Sequence, residues 1–183
     1  NLYRTFVTMN CMHCENPPCK TACDGVKAFA ISRNELGVVL IDYEKCIGCG
    51  YCAAVCPYGV PQITQTIENL YPGQEATPLE AIPGAERHWT HRKKPKVAEK
   101  CTFCWHRLEQ ALADGKAHRI GLEPQYTPAC DLVCPVDARF FGDLDDPESK
   151  VAKMIGHKKA AQLKVEYGTA PRVYYVLEGG EKR

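Results

Sequence analysis

The chain has 183 residues, with 23 Lys and Arg against 22 Asp and Glu for a formal net charge of +1. That balance offers no basic surface for nucleic acid, and no apolar run approaches the roughly eighteen residues of a membrane helix. A chain this long buries a core without staples, so its twelve cysteines call for a reason other than disulfide bonding.

In chain order, Cys11, Cys14, Cys19 and Cys23 come first, spaced C-x2-C-x4-C-x3-C, with Glu15-Asn16-Pro17-Pro18 lengthening the second gap. A short helical turn is expected after Cys19. Ala28 to Ser32 and Val38 to Asp42 flank Asn34-Glu35-Leu36-Gly37 and predict a β-hairpin. Cys46, Cys49, Cys52 and Cys56 follow as C-x2-C-x2-C-x3-C-P, with a second helical turn expected after Cys52. The stretch from Gln62 to Lys100 carries four prolines and little periodicity, so it reads as a long irregular loop. Arg92-Lys93-Lys94-Pro95-Lys96 within it is read as solvated or partner-facing charge, in preference to a field raising the potential of the third cysteine group. A helix is predicted over Thr102 to Asp114, ended by Gly115, and another over Pro147 to Tyr167, ended by Gly168. Arg139 to Phe141 and Val173 to Leu177 are strand candidates. The fold class is α+β, with short strands, long loops and a C-terminal helix. Three segments are expected: 1–61 as a two-cluster module, 62–147 as loop insertion and third cluster-binding segment, and 148–183 as terminal helix and strand.

The spacing of Cys46 to Cys56 is the bacterial ferredoxin run that holds cubane iron–sulfur clusters. Three thiolates two residues apart reach one cubane only if the chain curls tightly. Gly48 and Gly50 let the backbone do so, and Pro57 turns it away. Cys101, Cys104, Cys130 and Cys134 form the third group, C-x2-C, a 25-residue insertion, then C-x3-C-P. Taken alone this group suits zinc or iron–sulfur; the middle group does not suit zinc, whose sites use two separated pairs. In two-cluster ferredoxins the fourth cysteine of each run ligates the other cluster. By that rule Cys11, Cys14, Cys19 and Cys56 hold one cubane, and Cys46, Cys49, Cys52 and Cys23 a second. Trp105 is expected to shield a cluster from water. His13 and His106, inside or beside cysteine runs, are read as packing residues.

Cys-Met-His-Cys-Glu-Asn-Pro-Pro-Cys at 11–19, Asp-Tyr-Glu-Lys-Cys-Ile-Gly-Cys-Gly-Tyr-Cys at 42–52 and Lys-Cys-Thr-Phe-Cys at 100–104 carry a resemblance. With Ala-Cys-Asp-Leu-Val-Cys-Pro at 129–135 and Phe-Gly-Asp-Leu-Asp-Asp-Pro at 141–147, they resemble the iron–sulfur electron-transfer (beta) subunit of the dimethyl-sulfoxide-reductase, or molybdopterin oxidoreductase, superfamily. That subunit type also serves formate dehydrogenase and polysulfide and tetrathionate reductases. The resemblance covers residues 6 to 147. It implies a double ferredoxin-like fold carrying a line of [4Fe-4S] clusters, a catalytic partner with a molybdenum or tungsten bis-pterin cofactor, and a membrane anchor or quinone-reactive subunit. Two departures stand out: Asp24 follows Cys23 where such runs usually have proline, and a further upstream run usual in the family does not precede Cys11. Three clusters are therefore expected, with Cys101, Cys104, Cys130 and Cys134 closing the third, and a fourth if an upstream segment has been removed ahead of Asn1.

No nucleophile–base pair, phosphate loop or dinucleotide fingerprint is present, so no catalytic residue is assigned. The expected function is that of a non-catalytic subunit of a respiratory oxidoreductase, relaying single electrons between the catalytic subunit and a membrane quinone-handling or other redox partner. The expected location is a membrane-associated complex, with the periplasmic face favoured over the cytoplasmic. A free polyferredoxin, the same module in a hydrogenase complex, and a zinc scaffold are the alternatives.

Overall fold

The computed structural model describes residues 7–63, 65, 86–92, 94–157 and 160–176. The chain divides into two units. One, here the N-unit, comprises Met9–Cys11 and Asn16–Thr102; the other, the C-unit, comprises Asn1–Thr8, Met12–Glu15 and Phe103–Arg183.

The N-unit opens with helix α1, Pro18–Gly25. Pro18 occupies its first position, where a missing N–H costs nothing. Lys20 Nζ lies 2.5 Å from Asp24 Oδ2, one turn away, so the residue that departs from the family's usual proline serves as a helix partner. Strands β1 (Ile31–Arg33) and β2 (Val39–Ile41) pair antiparallel with Ile31 opposite Ile41. The hairpin forms where the turn residues place it: Val38 N–H donates to Asn34 Oδ1 at 2.8 Å and Gly37 takes φ 75°. Helix α2, Tyr51–Ala54, is a single turn entered through Gly50.

Strands β3 (Gln62–Ile63) and β4 (Ala98–Glu99) pair antiparallel, Gln62 opposite Glu99. The segment expected to be irregular from Gln62 to Lys100 is thus closed at both ends, while most of its interior lies outside the described residues. Closure follows from burial: Val97 and Ala98 join Ile31, Val39, Ile41 and Tyr43 in the core, and Ile63 packs against it. Cys19, Cys23 and Cys52 belong to the same core. The apolar interior of this unit is therefore assembled around thiols.

In the C-unit, helix α3 spans Trp105–Ala113. It starts three residues after the expected Thr102 because Phe103 and Cys104 both take left-handed conformations, φ 53° and 52°. Trp105, Leu108 and Ala111 form its buried face, at the three-residue spacing of a helix stripe. Gly115, at φ 68°, ends it as predicted. The chain returns through two 3-10 turns, Ala117–Arg119 and Pro124–Tyr126, into the short helix α4, Ala129–Leu132. Arg107 Nη1 donates to Pro124 O at 2.8 Å, and the buried Tyr126 hydroxyl donates to Asp114 Oδ2 at 2.6 Å.

Two expectations fail here. The helix predicted over Pro147 to Tyr167 is only α5, Lys150–His157. Ala160–Ala161 instead forms β5, antiparallel to β6 at Tyr175–Val176, and Val165–Tyr167 is a 3-10 turn between left-handed Lys164 and Gly168. Pairing with a strand 14 residues downstream overrides local helix propensity. The Val173–Leu177 strand survives in part as β6, and Leu177 lies outside the described residues. Arg139–Phe141 forms no strand. Its aromatic side chains are engaged individually: Lys150 Nζ sits 4.0 Å over the Phe140 ring, and Phe141 meets Phe103 edge-on at 5.1 Å.

Candidate metal centres

None of the twelve cysteines is joined in a disulfide. Cys14, Cys19, Cys23 and Cys52 are buried, Cys49 and Cys130 are exposed, and the others are intermediate. Cys11, Cys19, Cys56 and Cys101 fall in the N-unit; Cys14, Cys104, Cys130 and Cys134 fall in the C-unit.

Four of the thiols line one hollow. A hollow of about 330 Å³, counting its open mouth, is lined by Cys23, Cys46, Cys49 and Cys52 together with aliphatic groups including Ile31 and Ile41. Cys23 comes from the last turn of α1, Cys46 and Cys49 from the glycine-rich turn, and Cys52 from α2. Cys23, from the first run, thus lines the same hollow as three cysteines of the second. Burial pushes the Cys52 thiol up, neighbouring Cys46 and Cys49 push it further, the Ala53 N–H opposes them, and Cys23 adds to the rise. Four sulfur donors lining one hollow have the chemistry that an iron–sulfur cubane requires.

The backbone contributes as well. Ala30 N–H donates to Cys23 Sγ at 3.2 Å and Ala98 N–H to Cys46 Sγ at 3.4 Å. Gly48, at φ 68°, has no room for a side chain, since a Cβ would stand 2.0 Å from Lys96 O.

In the C-unit the 25-residue insertion folds so that its two ends meet. Ala129 N–H donates to Cys104 Sγ at 3.4 Å, tying Cys104 to the residue before Cys130. Ala138 N–H donates to Cys134 Sγ at 3.3 Å. N–H groups of Ala138 and Val136 hold the Cys134 thiol below its ordinary range. Asp131, beside Cys130, is raised by burial against the opposing pull of Arg139, whose Nε is 3.6 Å away. His13 is fully buried and stacks on Phe103, the packing role expected of it. Trp105 is buried, and its Nε1 donates to Glu109 Oε1 at 3.2 Å. Sequence reading missed the four alanine N–H donors. Nothing in linear sequence links Ala98 to Cys46, 52 residues away.

Residues 2–72 and residues 38–110 each match a family described as a 4Fe-4S dicluster domain. Among curated proteins, the chain is 38% identical over 176 residues to an iron–sulfur subunit ascribed to a dimethyl sulfoxide reductase of Halobacterium salinarum, covering 96% of this chain and 56% of that protein. It is 35% identical over 199 residues to the arsenate respiratory reductase iron–sulfur subunit of a Shewanella species, covering 97% and 77% respectively. It is also 35% identical over 167 residues to a subunit of the sulfite dehydrogenase of Allochromatium vinosum, covering 91% and 54%. The chain belongs to the family of iron–sulfur electron-transfer subunits of the dimethyl-sulfoxide-reductase superfamily, built on 4Fe-4S dicluster domains with helices and small antiparallel strands. It spans between about half and three quarters of the length of these relatives.

Proposed function

We propose that this chain is the electron-transfer subunit of a molybdenum- or tungsten-dependent oxidoreductase, passing single electrons through three [4Fe-4S] clusters and carrying no substrate site of its own. The observation that carries the reading is the gathering of Cys23 with Cys46, Cys49 and Cys52 around one hollow. A cubane held by these four thiolates would supply one-electron chemistry with no bond to the protein made or broken. The chain's own groups hold the four thiolates, exclude water with aliphatic side chains, and aim backbone N–H groups at sulfur.

The remaining cysteines are assigned by their spacing. Cys11, Cys14, Cys19 and Cys56 hold a second cluster, and Cys101, Cys104, Cys130 and Cys134 a third. The Ala129 link between the two halves of the last set supports its closing as a unit. Relatives named as subunits of dimethyl sulfoxide, arsenate and selenate reductases favour a bis-pterin catalytic partner. A relative named menaquinone reductase, iron–sulfur cluster-binding subunit, favours a quinone-handling partner at the membrane. Among the described residues no helix is long and apolar enough to cross a membrane; we place the chain in a membrane-associated complex, on the periplasmic face.

Iron and acid-labile sulfide per chain, measured on anaerobically isolated protein, test the reading. About 12 of each fit three complete cubanes, about 8 remove the third, and zinc without iron overturns the electron-transfer assignment. Molybdenum or tungsten in the intact complex supports the proposed partner, and nickel in their place overturns it.

A further inference from the structure

Residues 94–98 lie against the start of the second cysteine run, touching it at Lys96 and Ala98 and the residue two before it, Glu44, at Lys94. Lys94 Nζ is paired with the Glu44 carboxylate. The Lys96 carbonyl occupies the space where Gly48 lacks a side chain, with Lys96 itself left-handed at φ 63°. Ala98, only 1% exposed, turns its N–H onto Cys46 Sγ at 3.4 Å. Val97 beside it is buried in the same core as Cys23 and Cys52. Lys96 is thus packed against the glycine-rich turn at Gly48, Lys94 is paired just ahead of the turn at Glu44, and the strand that follows supplies a sulfur-directed donor from outside either ferredoxin run.

We propose that this strap sets the reduction potential of the cluster held by Cys23, Cys46, Cys49 and Cys52, with Ala98 as its tuning residue. The inference rests on the ligand assignment above. Adding one electron to a cubane places more negative charge on its thiolate sulfurs. An N–H donor bonds more strongly to the more negative acceptor, and so favours the reduced state and raises the potential. Ala30 acts on Cys23 from within the hairpin. Ala98 acts on Cys46 from a segment joined to the run only through the fold, so the strap can change potential without altering any ligand.

The test is an EPR-monitored redox titration of the anaerobically isolated, cluster-loaded protein, with mediators supplying the electron. Ala98→Pro removes the donor, and Ala98→Gly keeps it. The expected result is a lower potential for one cluster in Ala98→Pro, by about tenfold in its reduction equilibrium or ~59 mV for a one-electron couple. The other clusters should not move, and Ala98→Gly should match the parent. A second readout does not depend on the proline variant folding. In protein labelled with ¹⁵N at alanine only, Ala98→Gly should remove one ¹⁵N hyperfine coupling from the reduced cluster. Intact cubane signals with unmoved potentials, or with an unchanged ¹⁵N pattern, overturn this inference alone. Absence of cubane signals from the unsubstituted protein overturns the ligand assignment beneath it.

Discussion

His13 and Phe103 stack face to face, with ring centroids 3.6 Å apart and planes 20° from parallel. Each is the third residue of a C-x2-C turn, Cys11 to Cys14 and Cys101 to Cys104, and each takes a left-handed backbone, at φ 44° and 53°. A bulky residue in that region carries about 1 kcal/mol of strain, retained because the surroundings fix it. Phe103 also meets Phe141 edge-on, so the side chain offsets the backbone strain through two ring contacts.

Phe103 therefore separates the two effects. Phe103→Ala loses both ring contacts and keeps the strain, whereas Phe103→Gly loses the contacts and relieves it. We expect the glycine variant to be the more stable of the two by about 1 kcal/mol, against the usual order for a non-turn position. Thermal midpoints of the two anaerobic holo-proteins decide this; an alanine variant at least as stable as the glycine one contradicts it.

Gly48 and Gly50 share a left-handed backbone, at φ 68° and 78°, but differ in their surroundings. A Cβ at Gly50 meets nothing within 4 Å, while one at Gly48 meets the Lys96 carbonyl at 2.0 Å. Gly50→Ala should cost only the backbone penalty, about 1 kcal/mol. Gly48→Ala must also displace the strap, adding ~2 kcal/mol on the scale of overpacked sites. Denaturation of the two variants side by side gives the comparison, and equal costs would contradict the close approach of Lys96.

Features carried by local contacts were legible in the sequence. The hairpin around Asn34 and Gly37 and the stop of α3 at Gly115 each depend on residues within a few positions. Cys23 lines one hollow with Cys46, Cys49 and Cys52, a neighbourhood for which the ferredoxin spacing gave a reason in advance. Features carried by distant partners were not legible. Ala160–Ala161 has the composition of a helix and becomes a strand because Tyr175–Val176 lies beside it. Ile63 and Ala98 pair across an insertion with no periodic signal. Arg139–Phe141 has strand composition, but its aromatic rings are taken up by Lys150 and Phe103.

Tyr43 gives a pH-dependent prediction. Its phenol is pushed up to about 12, first by burial and then by the nearby Glu99 and Cys46. The folded state thus favours the neutral form, while the unfolded chain ionises near 10. The resulting stability is fully present below about pH 10 and is lost as pH rises from there through about 12. Tyr43→Phe has no proton to lose, so its urea midpoint should fall less than the parent's between about pH 8 and pH 11. Parallel declines in the two proteins would assign the alkaline loss to other groups.

Cys23 discriminates between ligation within a run and exchange between runs. It lies four residues from Cys19 in α1, yet lines the hollow with Cys46, Cys49 and Cys52. It also contributes to the raised Cys52 thiol, a through-space effect that requires proximity. Cys23→Ala and Cys52→Ala should therefore damage the same cluster, and Cys19→Ala a different one. In a redox titration followed by EPR, the first two variants should lose or convert the same signal, one held at its own potential in the parent. The Cys19 variant should leave that signal in place. If Cys23→Ala instead matches Cys19→Ala, each run keeps its own fourth thiolate, and the hollow's convergence of thiols would have to be explained without exchange.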